Sequence, residues 1–63
     1  MNALNLTAPN NAGIAHRFVK NEDGTYCHYE QGLKTGLRNL LDVAMTHQEV
    51  IDMAGRLRAY GWR

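Results

Sequence analysis

The chain has 63 residues, 44% of them hydrophobic, and seven Lys+Arg against six Asp+Glu give a net charge of +1. That length holds one small domain, which buries only about 60% of its unfolded surface and is marginal as a monomer. A single cysteine excludes an internal disulfide, no apolar run reaches the ~18–20 residues of a membrane span, no secretory leader pattern is seen, and near-zero charge argues against a strong electrostatic pull toward nucleic acid or membrane.

Residues 1–13, MNALNLTAPNNAG, carry no charged side chain and close on the turn chemistry of Pro9, Asn10, Asn11 and Gly13. They are expected to form a mobile arm, with Leu4 and Leu6 as the side chains that could dock on something. A single domain is expected over residues 14–63.

Residues 14–31 carry the signature of a β-hairpin. IAHRFVK and TYCHYEQ are rich in β-branched and aromatic residues, and Asn21-Glu22-Asp23-Gly24 lies between them. Asn suits the first turn position, Asp the third, and Gly supplies the positive φ that follows a type I turn. The resulting three-residue loop puts Asn21 opposite Thr25. Val19 then faces Cys27 and Arg17 faces Tyr29. On the other side Lys20 meets Tyr26, Phe18 meets His28, and His16 meets Glu30. A two-residue Asp-Gly turn would give a different register. Both faces carry apolar groups, so something is expected to pack on each.

Residues 33–60 read as helix. Leu33, Leu37, Leu40, Leu41 and Ala44 follow a helical stripe, with Gly36 as a weak point. Thr46-His47-Gln48-Glu49 fits a capping box, and Met45 and Val50 occupy the staple positions beside it. The helix therefore breaks at Met45/Thr46 and a second begins at His47, with Val50, Met53, Ala54 and Leu57 as its stripe. One helix continuous from Lys34 to Tyr60 is the alternative. Gly61 sits where a C′ glycine belongs, and Trp62 at the position that folds back on the last turn. The expected fold class is α+β, a small ββαα domain of one hairpin and two short helices.

No residue set points to catalysis. Cys27 and His28 are neighbours on a strand and point to opposite faces, so they cannot share an ion. His16, His28 and Glu30 lack the close spacing of a metal site. Cys27 is expected as a small buried hydrophobe, the carboxylates sit in turns or on helix surfaces, and no phosphate-binding loop occurs. No enzyme activity, cofactor or metal is expected.

The segment Arg56-Leu57-Arg58-Ala59-Tyr60-Gly61-Trp62-Arg63 concentrates arginine and aromatic residues without an acidic side chain. That is the composition of protein-interface hot spots, although arginine there also complements the helix dipole. Arg56, Arg58, Tyr60, Trp62 and Arg63 are the candidate partner-binding residues, with Phe18, Tyr26 and His28 on the hairpin as a second candidate patch. The expected function is a non-catalytic, cytoplasmic protein-binding module. It would be a stand-alone small regulator or inhibitor of the kind encoded by phages and mobile elements, forming a homodimer, with another protein as its partner. The alternative is a small dimeric nucleic-acid-binding regulator. Membrane contact is not expected.

Overall fold

The computed structural model describes residues 2–63, and Met1 lies outside the described residues. Four strands form one antiparallel sheet in sequence order: β1 (Ala3–Thr7), β2 (Ile14–Lys20), β3 (Tyr26–Gly32) and β4 (Arg38–Met45). A short 3-10 turn (Pro9–Asn11) joins β1 to β2, and the one α-helix among the described residues, α1 (His47–Ala59), follows β4 and packs on one face.

The central hairpin has the register that its turn dictates. Val19 pairs with Cys27, Arg17 with Tyr29, Phe18 with His28, and His16 with Glu30. The Asn21 N–H donates to the Thr25 carbonyl, and the Gly24 N–H donates to the Asn21 carbonyl, at 2.7 and 3.1 Å. Asp23 Oδ1 accepts from both the backbone N–H and the hydroxyl of Thr25, which locks the loop.

Two expectations are corrected. The expected arm supplies β1, which pairs with β2 over Ala3–Thr7. Alternation in Ala3-Leu4-Asn5-Leu6-Thr7 turns both leucines toward the helix side, where Leu6 is buried and Leu4 half-buried. The expected first helix is strand β4, so the fold is a four-stranded sheet with one helix and not ββαα. Gly36 accounts for much of this. Residues 33–35 start one helical turn, closed by a Gly36 N–H to Gly32 carbonyl bond of 2.9 Å, and Gly36 at φ +72° then reverses the chain. The chain returns along β3 and satisfies its otherwise open edge. The leucine stripe does not enter the core: Leu37 is 73% exposed and Leu40 49%. The β3–β4 register slips twice, between Tyr26 and His28 and between His28 and Tyr29. Such irregularities interrupt strict two-residue alternation along β4 beyond Leu40.

The second helix has its expected boundaries. Thr46 Oγ1 accepts from the Glu49 N–H at 3.1 Å, and Glu49 Oε1 accepts from the Thr46 N–H at 2.9 Å. Met45 and Val50 meet in the core beside Phe18 and Tyr26, with Leu4, Met53 and Leu57 packed against them. At the far end, Gly61 donates to the Arg58 carbonyl and Trp62 to the Leu57 carbonyl, both at 3.0 Å, completing a Schellman motif around Gly61 at φ +94°. Arg63 then pairs reciprocally with Thr7: the Thr7 N–H donates to the Arg63 carbonyl, and the Arg63 N–H to the Thr7 carbonyl. The chain's last residues thus line the outer edge of β1. No helix among the described residues is long and apolar enough to cross a membrane.

Chemical denaturation separates core from surface. Phe18→Ala should cost about 3–5 kcal/mol and Thr46→Ala about 1 kcal/mol. Leu40→Ala and Leu41→Ala, which a helical core stripe would make severe, should each stay within about 0.5 kcal/mol of the parent chain when both are unfolded at concentrations low enough to keep the chain monomeric.

Candidate functional site

The eight residues expected to bind a partner are divided by the fold. Phe18, Tyr26 and His28 are 0%, 2% and 5% exposed and lie beneath α1, so they present no surface. Trp62 folds back on the same side, its ring 4.7 Å from that of His16. Arg56, Arg58 and Tyr60 are exposed on the last turn and cap of α1, where the two arginines face the negative end of the helix dipole. Arg63, paired with Thr7, belongs to the other side of the sheet, because directly paired residues share a face.

Beneath α1 lies a polar cluster within an apolar setting. His16 Nδ1 is 2.7 Å from His28 Nε2, so one nitrogen donates and the other accepts. The Phe18 ring stacks on His28 at 4.3 Å and 15°. Burial pushes both imidazoles below their ordinary value; Glu30 opposes the shift at His16. At His28 the charge of His16 adds to burial, while Asp42 and Glu30 oppose it. Among the described residues, no three His, Cys, Asp or Glu side chains are grouped to hold a metal ion. The pair is a structural bridge that gives the buried His28 ring a partner in the half-buried ring of His16.

The face of the sheet away from α1 is open. Strand register sets Asn5, Arg17, Tyr29 and Leu40 side by side across all four strands. The next row is Thr7, Ala15, Gln31 and Arg38. Arg17 is held in the middle: its Nε donates to Asn5 Oδ1 at 3.0 Å and its Nη1 to Gln31 Oε1 at 3.3 Å. The Arg38 guanidinium stands 5.6 Å from the centre of the Tyr29 ring. Cys27 is half-buried on this face, its Sγ directed at Asn21 Oδ1 at 3.2 Å.

A second surface runs along the β3–β4 turn and β4. Leu33, Leu37, Leu40, Leu41 and Val43 are 46–73% exposed. Sequence reasoning missed both surfaces. The hairpin register already placed Arg17 opposite Tyr29, a usable signal. Arg38 and the leucines were hidden by the helical reading of their segment.

No protein-family model matches the chain, and no curated protein or solved structure matches it. The functional reading therefore rests on these surfaces alone.

The histidine pair makes stability depend on pH. Folded-state values below the ordinary 6.5 mean that the unfolded chain takes up protons first as pH falls. Protons on both facing nitrogens would also set two N–H groups against each other. The pair's contribution is whole above about pH 7 and is lost as pH drops through 6.5 toward the folded-state values. The urea midpoint should fall between pH 7.5 and about 5, a range above ordinary carboxylate titration. His16→Gln should flatten that dependence, and an equally steep curve in the variant would remove the pair as its source.

Proposed function

We propose that the chain is a non-catalytic protein-binding module, a small regulator or inhibitor that works by contact through the leucine side of β4. The observation that carries this reading is the exposure of Leu33, Leu37, Leu40, Leu41 and Val43 within residues 33–43. Five exposed apolar side chains crowded into eleven residues along one sheet edge favour an interaction surface, since covering each one fully is worth about 1.5–3 kcal/mol. Contact is made by these side chains more than by added strand hydrogen bonds, because the irregular register of β4 spoils a regular edge.

In a solution of the chain alone, the occupant is a second copy, giving a homodimer at micromolar concentration. The exposed Arg56, Arg58 and Tyr60 lie on the last turn and C-cap of α1, outside this contact.

The test compares the parent chain with a variant carrying Leu37→Ser, Leu40→Thr, Leu41→Thr and Val43→Thr, which keeps strand-forming residues in β4. The parent should sediment as a dimer at micromolar concentration and the variant as a monomer. The tethered parent should also retain a protein that the folded variant does not. The reading is overturned if the parent is monomeric and both tethered chains retain the same proteins.

A further inference from the structure

We infer that the open sheet face is a binding site for single-stranded nucleic acid, centred on Arg17 and Tyr29 and bordering the leucine contact at Leu40 and Leu33. Charge placement is the first argument. All six Asp and Glu side chains lie elsewhere: Glu22 and Asp23 in the hairpin turn, Glu30 and Asp42 on the helix side, Glu49 and Asp52 on α1. Arg17 and Arg38 stand on the open face, and pairing with Thr7 turns Arg63 to the same side. A net charge of +1 thus conceals a face with arginines and no acidic side chain.

Their spacing is the second argument. Arg63 lies outside β1, Arg17 is on β2 and Arg38 on β4. Strands are about 4.8 Å apart, so successive arginine-bearing positions are about 10 Å apart across the sheet. A line of fixed charges suits a ligand with repeated anions better than a single anion.

The chemistry between the charges is the third. Asn5 and Gln31 fix the Arg17 guanidinium through their oxygens, leaving its other N–H groups for a phosphate oxygen. Their amide groups can also meet a base edge. Beside them is a hollow of about 290 Å³ lined by Asn5, Thr7, Ala15, Arg17, Gln31 and Leu33. Tyr29, with the Arg38 guanidinium near its ring, supplies a stacking platform for a base. An acidic peptide would use the arginines but has no use for the platform.

Fluorescence anisotropy of the intact chain with labelled oligothymidylate and oligouridylate tests this. Three phosphate contacts predict a log–log salt slope of about −2, a roughly twentyfold loss of affinity from about 50 to 200 mM salt. Arg17→Gln with Arg38→Gln should weaken binding at least about tenfold at low salt and flatten that slope. Tyr29→Leu should weaken oligonucleotide binding roughly fivefold or more, without changing any binding of polyglutamate. Circular dichroism checks each variant's fold. If Arg17→Gln fails to fold, Arg38→Gln with Arg63→Gln tests the same face from exposed positions. The inference is overturned by no binding at about 50 mM salt, by unchanged binding in the folded sheet variants, or by polyglutamate competing as well as the oligonucleotide. It is equally overturned if Arg56→Gln with Arg58→Gln abolishes binding and the sheet variants do not.

Discussion

Phe18 is fully buried, with the His28 ring stacked on it and α1 packed above through Val50. His28 in turn meets His16, and Trp62 closes over His16. This column of rings joins the middle strands to both ends of the helical segment. It also settles a difficulty of size. The apolar cluster around Phe18, Tyr26, Met45 and Val50 is small, and two imidazoles extend it with one nitrogen of each paired to the other. Trp62 reaches His16 only because Gly61 turns the chain after α1, and the next residue, Arg63, is then brought against Thr7.

With its one helix committed to that column, the sheet has no cover for its second face. The open side is accordingly built from groups that tolerate water. Arg17 is held by two neutral amides, Thr7 and Gln31 are polar, and the larger apolar parts are shared between Val19, Cys27, Tyr29 and, at the β4 edge, Leu40. An arginine fixed by amides instead of a carboxylate keeps its full charge for something outside the chain. The same asymmetry leaves β4 as an edge, because α1 turns off at Thr46 and crosses the sheet instead of lying along that strand.

What was legible in the sequence is what local chemistry encodes. The Asn21–Gly24 loop sets a register that holds through the whole hairpin, and Thr46 with Glu49 sets where α1 begins. Gly61 and Trp62 mark its end. The misreadings share a cause: the decisive partner is remote. Leu37, Leu40, Leu41 and Ala44 have helical spacing, and only the open edge of β3 selects the strand. Gly36 reads as a weak point within a helix, whereas it is the residue that ends a single turn. Leu4 and Leu6 show strand alternation, but Asn, Pro and Gly around them suggest an arm. The candidate site suffers in proportion. Arg17 and Tyr29 can be placed together from the register, whereas Arg38 needs β4 and Arg63 needs the closing contact with Thr7.

The two surfaces are not independent in space, and β4 is the reason. Leu40 stands beside Tyr29 in the open face, and Arg38 beside Gln31, while Leu37 and Leu33 lie at the turn just past them. A protein seated on the leucines therefore borders the stacking platform and the last guanidinium of the basic row. Whatever covers β4 changes the surroundings of Arg38 directly, by excluding water and by adding its own charges. An acidic partner there would neutralise one end of the row, and a neutral one would strengthen the field at Arg38. Binding at one surface then alters affinity at the other by an equal factor in both directions. A second copy with the same arginines would concentrate positive charge along the shared edge. If both proposals hold, the form of the chain best suited to an anionic strand is the one in which β4 is already covered by its like.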